Sequence, residues 1–162
     1  MEENIRSLLA QECFYFRTSL NWTVESGVTL DKCLLVMVER GKASVFVGEN
    51  EYILERNQIL FMRPELPLKK LRSTTDFSVS LMAFPPSMLR DSTERMEPRF
   101  LLLLFTQVIW GVDTENRKLV EHFRELFRFA VADYGRGYTR ELVLSLVNGL
   151  VYGAYEMCGA AR

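Results

Sequence analysis

The side chain most relevant to catalysis in this 162-residue sequence is its single histidine, His122. It stands between Glu121 and Phe123, in a segment with helical periodicity. A transition-metal site on a β-barrel typically uses two or three histidines and a carboxylate. Ser–His–Asp or Cys–His catalysis would need the same histidine. We therefore interpret His122 as a helix-surface residue, and we expect no metal, no cofactor and no enzymatic activity.

The other reactive groups form no catalytic pattern either. Candidate acids stand singly at turns and strand ends: Glu25, Asp31, Glu49, Glu51 and Glu55. No GxxxxGK[ST] or GxGxxG loop occurs in the sequence, so nothing in it predicts a nucleotide phosphate site. The three cysteines, Cys13, Cys33 and Cys158, are far apart and lack CxxC spacing. This indicates reduced thiols rather than a disulfide framework or a zinc cluster.

Charge and hydropathy limit the partners of the chain. The net charge is -1 and the pI about 5.9, whereas a DNA-binding domain is usually clearly basic. The N-terminus, MEENIRSLLAQE, has no apolar h-region and is not a secretory signal. The apolar run 100–112 contains Thr and Gln and is shorter than the roughly 20 residues that span a bilayer. We expect a cytoplasmic protein with no membrane partner and no direct DNA contact by this chain.

Groups that could contact a ligand lie in the front half. One group is aromatic: Phe14, Tyr15, Phe16 and Trp22. The other is basic: Lys69, Lys70 and Arg72. The aromatic residues either pack in a core or line a mostly apolar ligand cavity. The basic residues either form a charged edge strand that resists aggregation or place a cation at the mouth of a barrel.

The elements that must position these groups are β-strands up to about residue 84. Short runs rich in Val, Ile, Phe and Tyr recur about every 8 to 12 residues, which is typical of a sandwich or barrel. Gly41 predicts a tight hairpin turn between CLLVMVE and KASVFV, with Glu39 opposite Lys42. A second hairpin turn is predicted at Gly48-Glu49-Asn50. Both faces of these strands are largely apolar, so each face must be covered.

The predicted pairing assigns the apolar side chains to two faces. The first face contains Leu34, Val36, Val38, Ala43, Val45 and Val47. The second contains Leu35, Met37, Ser44, Phe46, Tyr52 and Leu54.

The back half of the sequence predicts helices. Pro86 suits the first turn of a short helix, and Pro98 begins an apolar helix that ends near Val108. Thr114 is a candidate N-cap. It precedes a helical apolar stripe made of Leu119, Val120, Phe123, Leu126, Phe127, Ala130 and Val131. The segment 134–137 interrupts it before a last helix that begins at Tyr138 or Thr139. Strands followed by helices indicate an α+β fold.

Two glycines, Gly149 and Gly153, lie four residues apart in the last helix. Each costs about 1 kcal/mol relative to Ala in a helix interior. Their shared stripe indicates that another helix approaches closely. That helix belongs either to the same chain or to a second copy.

The order of these motifs resembles the cupin-like N-terminal domain of AraC-type transcription regulators, over residues 13–158. The matching residues are Arg40, Gly41, Gly48, Tyr52, Leu54, Ile59, Leu60 and Pro64, and FSVSLMAFPPSML is similar to the last barrel strand and following helix of that family. Two features depart from the pattern. Asn57-Gln58 replaces a common Gly-Asp, and a position near Leu68 lacks the histidine of many members.

The resemblance implies a single α+β domain, 1–162. It would consist of a cupin-like double-stranded β-helix or jelly-roll barrel, 13–84, and a helical dimerisation part, 85–162. The implied effector-binding residues are Phe14, Phe16, Trp22, Lys70, Val79 and Leu81. The implied homodimer interface is Leu142, Val143, Leu146, Gly149, Leu150 and Gly153. A small-molecule effector would bias how DNA is bound through a C-terminal helix-turn-helix domain that this chain lacks.

Three other functions remain as alternatives. A cupin-fold enzyme, an isomerase or a dioxygenase, would need a histidine in the barrel. A cyclic-nucleotide sensor would need an Arg-Ala after Gly48-Glu49, and none follows. A barrel that only dimerises and holds no ligand is also compatible with the sequence.

Overall fold

The computed structural model describes residues 2–94, 96–112, 114–132 and 139–160. Its β-strands are β1 (Phe14–Thr18), β2 (Cys33–Arg40), β3 (Ala43–Val47), β4 (Asn50–Leu54), β5 (Gln58–Met62), β6 (Leu68–Ser73), β7 (Ser78–Phe84) and β8 (Ile109–Gly111). Its α-helices are α1 (Glu2–Leu9), α2 (Pro86–Thr93), α3 (Pro98–Thr106), α4 (Arg117–Ala132) and α5 (Thr139–Ala160). A short 3-10 helix spans Asn21–Thr23.

The strands form two antiparallel sheets that face each other. One sheet has the order β1-β7-β2-β5-β8 and the other β4-β3-β6. Apolar side chains from both sheets fill the space between them, among them Leu34, Val36, Val45, Leu60 and Leu81. The predicted α+β fold, a cupin-like jelly roll followed by helices, is confirmed. The division of the chain at residue 84 stays a prediction, and the short strand β8 beyond it was not predicted.

The predicted hairpin at Gly41 is wrong. Strand β2 pairs with β5 and β7, whereas β3 pairs with β4 and β6. The turn therefore carries the chain from one sheet to the other, and Glu39 does not pair across strands with Lys42. Gly41 still needs to be glycine, because its φ is 71°. A Cβ there would also lie 2.6 Å from Asp76 Oδ1 and 3.0 Å from Phe77 Cα.

The hairpin at Gly48 is confirmed, but its turn contains two residues and not the three predicted, since Asn50 belongs to β4 and pairs with Val47. Its register corrects the predicted faces. Tyr52 lies opposite Val45 and Leu54 opposite Ala43, and opposed residues share a face. Leu54 is therefore buried between the sheets, with Tyr52 packed partly against the same cluster. The first predicted face is confirmed in full.

The helices cover the outer face of the five-stranded sheet. A second core forms there around Leu35, Met37, Phe61, Phe84 and Phe127. The opposite sheet has no such cover over the described residues, and Ile53 on its outer face is 58% exposed. The expectation that both faces are covered is thus right for β2 and wrong for β3 and β4.

Helix α4 begins at Arg117, three residues after the predicted cap Thr114. Fewer residues of its predicted apolar stripe are buried than expected. Leu119 is 64% exposed and Leu126 is 53% exposed, whereas Phe127 and Ala130 are buried. The predicted break at 134–137 and the possible start at Tyr138 lie outside the described residues. No described helix combines the length and hydropathy that a membrane span requires.

Candidate ligand-binding site

A small cavity lies at one mouth of the space between the two sheets. Trp22, Leu34, Met62 and Leu68 give it apolar walls, and Lys32 and Arg63 add two positive charges. Its volume is about 10 Å³, which is room for about one water molecule. The site is therefore nearly closed in this conformation.

Two loops hold the cavity closed from outside. In the first, Val28 N donates to Leu68 O and Leu68 N donates to Val28 O, each at 2.9 Å. In the second, Glu65 N donates to Leu30 O at 2.7 Å. Glu65 adopts a φ of 70°, a left-handed conformation that is uncommon for residues other than glycine. The cover over the cavity thus depends on three backbone hydrogen bonds and one unfavourable backbone conformation.

Of the two charged residues that line this cavity, Lys32 is the buried one, with 9% of the residue exposed. Its Nζ donates to Leu9 O at the end of α1 and to Asp31 Oδ1, both at 2.9 Å. The Asp31 side chain is 86% exposed, so solvent screens this ion pair. The hydrogen bond from Lys32 and its charge lower the pKa of the Asp31 carboxyl. One ammonium proton has no acceptor in this part of the structure and is available for an anion.

The predicted effector residues divide into two groups. Phe14, Val79 and Leu81 face the interior of the barrel, but each is 1% exposed or less and is packed by its neighbours. Trp22 alone among the six predicted residues lines the cavity. Phe16 packs against Trp22, with the centroids of the two rings 6.1 Å apart.

Lys70, the predicted cation of the barrel mouth, lies elsewhere. It is 4% exposed on the edge strand β6, and burial lowers its pKa. Its Nζ donates to Ser19 O at 2.9 Å, to Ser73 Oγ at 3.2 Å and to Asn21 Oδ1. These bonds use all three ammonium protons, so Lys70 fixes the 3-10 helix to β6 and does not line the cavity.

Lys32 was not predicted from the sequence. The sequence nevertheless contained a signal for this residue, because the side chain of a lysine that directly precedes the buried run of β2 is expected in or near the core. It was missed because the residue adjoins Asp31, which suggested a solvated turn. Met62, Leu66 and Leu68 were missed because they belong to different segments that only the fold brings together.

The predicted dimer interface on α5 is only partly exposed. Val143 is completely buried and packs in the second core, and the interface as a whole stays a prediction. Leu146 and Leu150 are half-buried against the same core, and Leu142 is 43% exposed. Nothing lies within 4 Å of the Cβ positions of Gly149 and Gly153. Within the described residues, therefore, no helix approaches these glycines closely.

The family model for the AraC-like ligand-binding domain matches residues 10–147. No curated protein sequence is significantly similar to this chain. Apo ToxT from Vibrio cholerae shares 8% identity with it at a TM-score of 0.54, over 86% of this chain and 54% of that one. The AraC-like transcriptional activator CuxR shares 11% identity at a TM-score of 0.53, over 88% and 48%.

A third solved structure is wild-type ToxT from Vibrio cholerae bound to an unsaturated fatty acid. It shares 9% identity with this chain at a TM-score of 0.52, over 90% of this chain and 54% of that one. These structures are similar in fold, and the chain spans about half their length. With the family model covering most of its residues, the chain belongs to the family of AraC-like ligand-binding domains.

Proposed function

We propose that this chain is the effector-sensing and dimerisation part of a cytoplasmic AraC-type transcription regulator, and that it is not an enzyme. The observation that carries the proposal is the cavity at the barrel mouth, which combines apolar walls with the buried Lys32. The described residues contain no cluster of three or more His, Cys, Asp or Glu able to hold a metal. DNA would be contacted only through a helix-turn-helix domain that lies outside this chain.

The chemistry of the cavity favours an effector with an apolar body and an anionic head. The apolar walls of Trp22, Leu34 and Met62 would contact the body. Lys32 would bind the head, because a charged hydrogen bond in a largely desolvated site is stronger than one in water. The ToxT complex with a fatty acid supports this class of ligand, since that ligand also joins a carboxylate to an apolar chain.

Ligand binding requires the cavity to enlarge, because its present volume suits about one water molecule. The loops 27–32 and 63–67 are the segments whose separation would open it, since the three backbone hydrogen bonds described above join them or tie them to β6. An effector would then select the open arrangement, which is a shift between two populations. The carbonyl of Leu9 accepts a hydrogen bond from Lys32, so a movement of this lysine on ligand binding would also act on the end of α1.

Trp22 offers a direct readout of binding. The sequence contains two tryptophans, and a Trp110→Phe background leaves Trp22 as the single emitter. Titration with dodecanoate should change its emission saturably, whereas dodecanol at the same concentrations should bind at least tenfold more weakly. Lys32→Met should remove this preference for the carboxylate. Lys69→Met, a change on the edge strand β6, is the matched control and should preserve it.

Two results would contradict the ligand proposal. Equal binding of dodecanoate and dodecanol would remove the role of Lys32 as the anion contact. A Trp22 emission that stays constant while calorimetry detects no binding would favour a barrel that only dimerises. Stoichiometric bound iron, zinc or manganese would instead favour the cupin enzyme.

For dimerisation we propose the side of α5 that the domain leaves exposed or half-buried, formed by Leu142, Leu146, Gly149, Leu150 and Gly153. The open space at both glycines supports this, because it would let a partner backbone approach closely. Gly149→Gln is the most informative variant. A Cβ at this position meets nothing within 4 Å, and the change improves helix propensity by about 0.5–1 kcal/mol, so the fold should gain stability while the dimer weakens.

Sedimentation equilibrium measures this effect. The wild-type chain should dimerise at micromolar concentration, and Gly149→Gln should raise the dimer dissociation constant at least tenfold. Arg128→Gln, an exposed change on α4 outside the proposed interface, controls for surface substitution. A strictly monomeric wild type, or a dimer that is insensitive to Gly149→Gln, would contradict the proposal.

A further inference from the structure

A second cavity lies outside the barrel, between the five-stranded sheet and α4. Its volume is about 70 Å³, the space of roughly five to seven water-sized spheres. Met37, Ile59, Val112 and Val120 form its apolar side. No residue that lines the first cavity also lines this one, so the two sites are separate.

The polar side of this second cavity has a net charge of +1. Three arginines and two glutamates line it: Arg56, Arg117, Arg124, Glu39 and Glu121. Arg124 Nη1 donates to both oxygens of Glu39 at 2.6 Å, so this pair is already neutralised. Arg56 and Arg117 take part in no ion pair among the described residues. Two arginines without an ion-pair partner therefore line the cavity, against the single carboxylate of Glu121.

Two of these arginines also have a hydrogen-bond donor that is buried without an acceptor. The Nε atoms of Arg117 and Arg124 are inaccessible to solvent and lack a partner in the described part of the chain. Buried polar groups in native proteins are nearly always hydrogen-bonded, and an exception calls for an unobserved water or ion. The protein therefore leaves part of the hydrogen-bonding capacity of both guanidinium groups unused beside the cavity.

We propose that this cavity binds a small monocarboxylate, independently of the effector at the barrel mouth. A guanidinium group matches the planar, two-oxygen geometry of a carboxylate. The net charge of +1 and the nearby Glu121 favour a monoanion over a doubly charged phosphate. The apolar side receives a short alkyl group, and the volume suits about five heavy atoms.

The position of the site gives the ligand a structural consequence. Arg56 belongs to the turn between β4 and β5, and Arg117 is the first residue of α4. A carboxylate held by both would tie this turn of the barrel to the start of the helix. Ligand occupancy would then stabilise the contact between the barrel and the helical part.

Propionate is the appropriate probe, because it has a carboxylate, a short alkyl group and five heavy atoms. In a ¹H–¹⁵N NMR titration of the chain at constant ionic strength, it should shift backbone signals of residues 56–59 and 117–124. The shifts should saturate with a dissociation constant on the order of millimolar, which is reasonable for a ligand of this size. Propionamide, which has the same shape without the charge, should produce no saturable shift, and phosphate should bind more weakly than propionate.

Four variants of the lining and its surroundings test the assignment. Arg117→Gln should weaken propionate at least tenfold, and Arg56→Gln, in an exposed turn that tolerates substitution, should weaken it severalfold. Glu121→Gln removes the opposing carboxylate and should tighten binding severalfold. Arg128→Gln is the matched control on α4, because its side chain is 62% exposed and pairs with Glu125 outside the cavity, and it should leave the affinity unchanged.

Three results would overturn the inference. The first is the absence of a saturable shift up to about 50 mM propionate, which is 50-fold the expected dissociation constant. The others are equal binding of propionamide and propionate, and equal propionate affinity in Arg117→Gln and Arg128→Gln. Lys32→Met separates this site from the effector site. It should leave propionate binding unchanged while it removes the dodecanoate preference, so either proposal can fail without the other.

Discussion

Replacement of Gly41 by alanine should destabilise the domain far more than the same change at Gly48. Both glycines have positive φ, 71° and 62°, so alanine loses about 1–2 kcal/mol of backbone energy at either site. Part of this loss is offset, because alanine reduces the entropy of the unfolded chain by about 0.4–1 kcal/mol. The backbone term alone therefore predicts a net loss of about 1 kcal/mol at each position.

The two substitutions differ in the space available for the new Cβ atom. At Gly48 the nearest atom to a new Cβ is Leu66 Cδ2, at 3.6 Å, which is an ordinary contact. At Gly41 the new Cβ would lie 2.6 Å from Asp76 Oδ1, and Thr74 Oγ1 would be closer still. Displacing Thr74 also breaks its hydrogen bond from Lys42 N, 3.1 Å long. Overpacking of this kind costs about 1–3 kcal/mol, so Gly41→Ala should lose about 2–4 kcal/mol in total.

Urea unfolding followed by circular dichroism measures both losses. The m-value should not change, because neither substitution alters the surface exposed on unfolding. In a thermal scan, Gly41→Ala should lower the melting temperature by roughly 5–15 °C, given about 2–4 °C per kcal/mol for a domain of this size. Equal destabilisation of the two variants would refute the steric argument. A Gly41→Ala loss below about 1 kcal/mol would refute the description of this turn altogether.

Three further predictions concern buried charge and burial itself. Lys70→Met should destabilise the domain by about 2 kcal/mol in urea unfolding, because it removes the three hydrogen bonds that fix the 3-10 helix to β6. Lys69→Met should change stability by less than about 0.5 kcal/mol. Arg124→Met should lower the free energy of unfolding by about 2 kcal/mol, because it leaves the largely buried Glu39 without its cation. Adding Glu39→Gln should recover part of this loss, and a double-mutant cycle measures the recovery. Burial raises the pKa of the Cys33 thiol from 9.0 to about 12, so the native thiol should resist a maleimide at pH 8 until urea unfolds the chain. Labelling of the native thiol at pH 8 would contradict this burial. Because the native state favours the protonated thiol, the contribution of this thiol to stability is complete below pH 9 and is lost between pH 9 and 12.

The sequence predicted the class of fold because hydrophobic periodicity is a local property. Short apolar runs such as CLLVMVE end at turn residues wherever the strand lies in the sandwich. The register of β3 and β4 was accessible for the same reason, because Gly48 fixes a two-residue turn. Tyr52 and Leu54 were nevertheless placed on the wrong face, although the pairing of Val47 with Asn50 alone would have placed them correctly.

The partners of β2 were not accessible in this way. A glycine with positive φ serves equally in a hairpin and in a crossover between sheets, so Gly41 by itself does not decide between them. The choice depends on which strands pair over long distances, and the paired residues of β2 and β7 are 38 to 51 positions apart in the sequence. The candidate site shares this difficulty, since its lining comes from segments around Trp22, Lys32, Met62 and Leu68 that only the completed fold brings together.

The crossover at Gly41 also explains why Glu39 has its present partners. In a hairpin this carboxylate would be a solvated surface charge opposite Lys42. In the sandwich it lies at the end of β2, beneath α4, where it accepts hydrogen bonds from Arg124 Nη1 at 2.6 Å and from Ser80 Oγ at 2.7 Å. Ser80 Oγ in turn lies 3.0 Å from Tyr15 Oη on β1. One polar network therefore joins the strands of the barrel to α4, so a rearrangement of the barrel around an effector has a direct physical connection to the helical part of the domain.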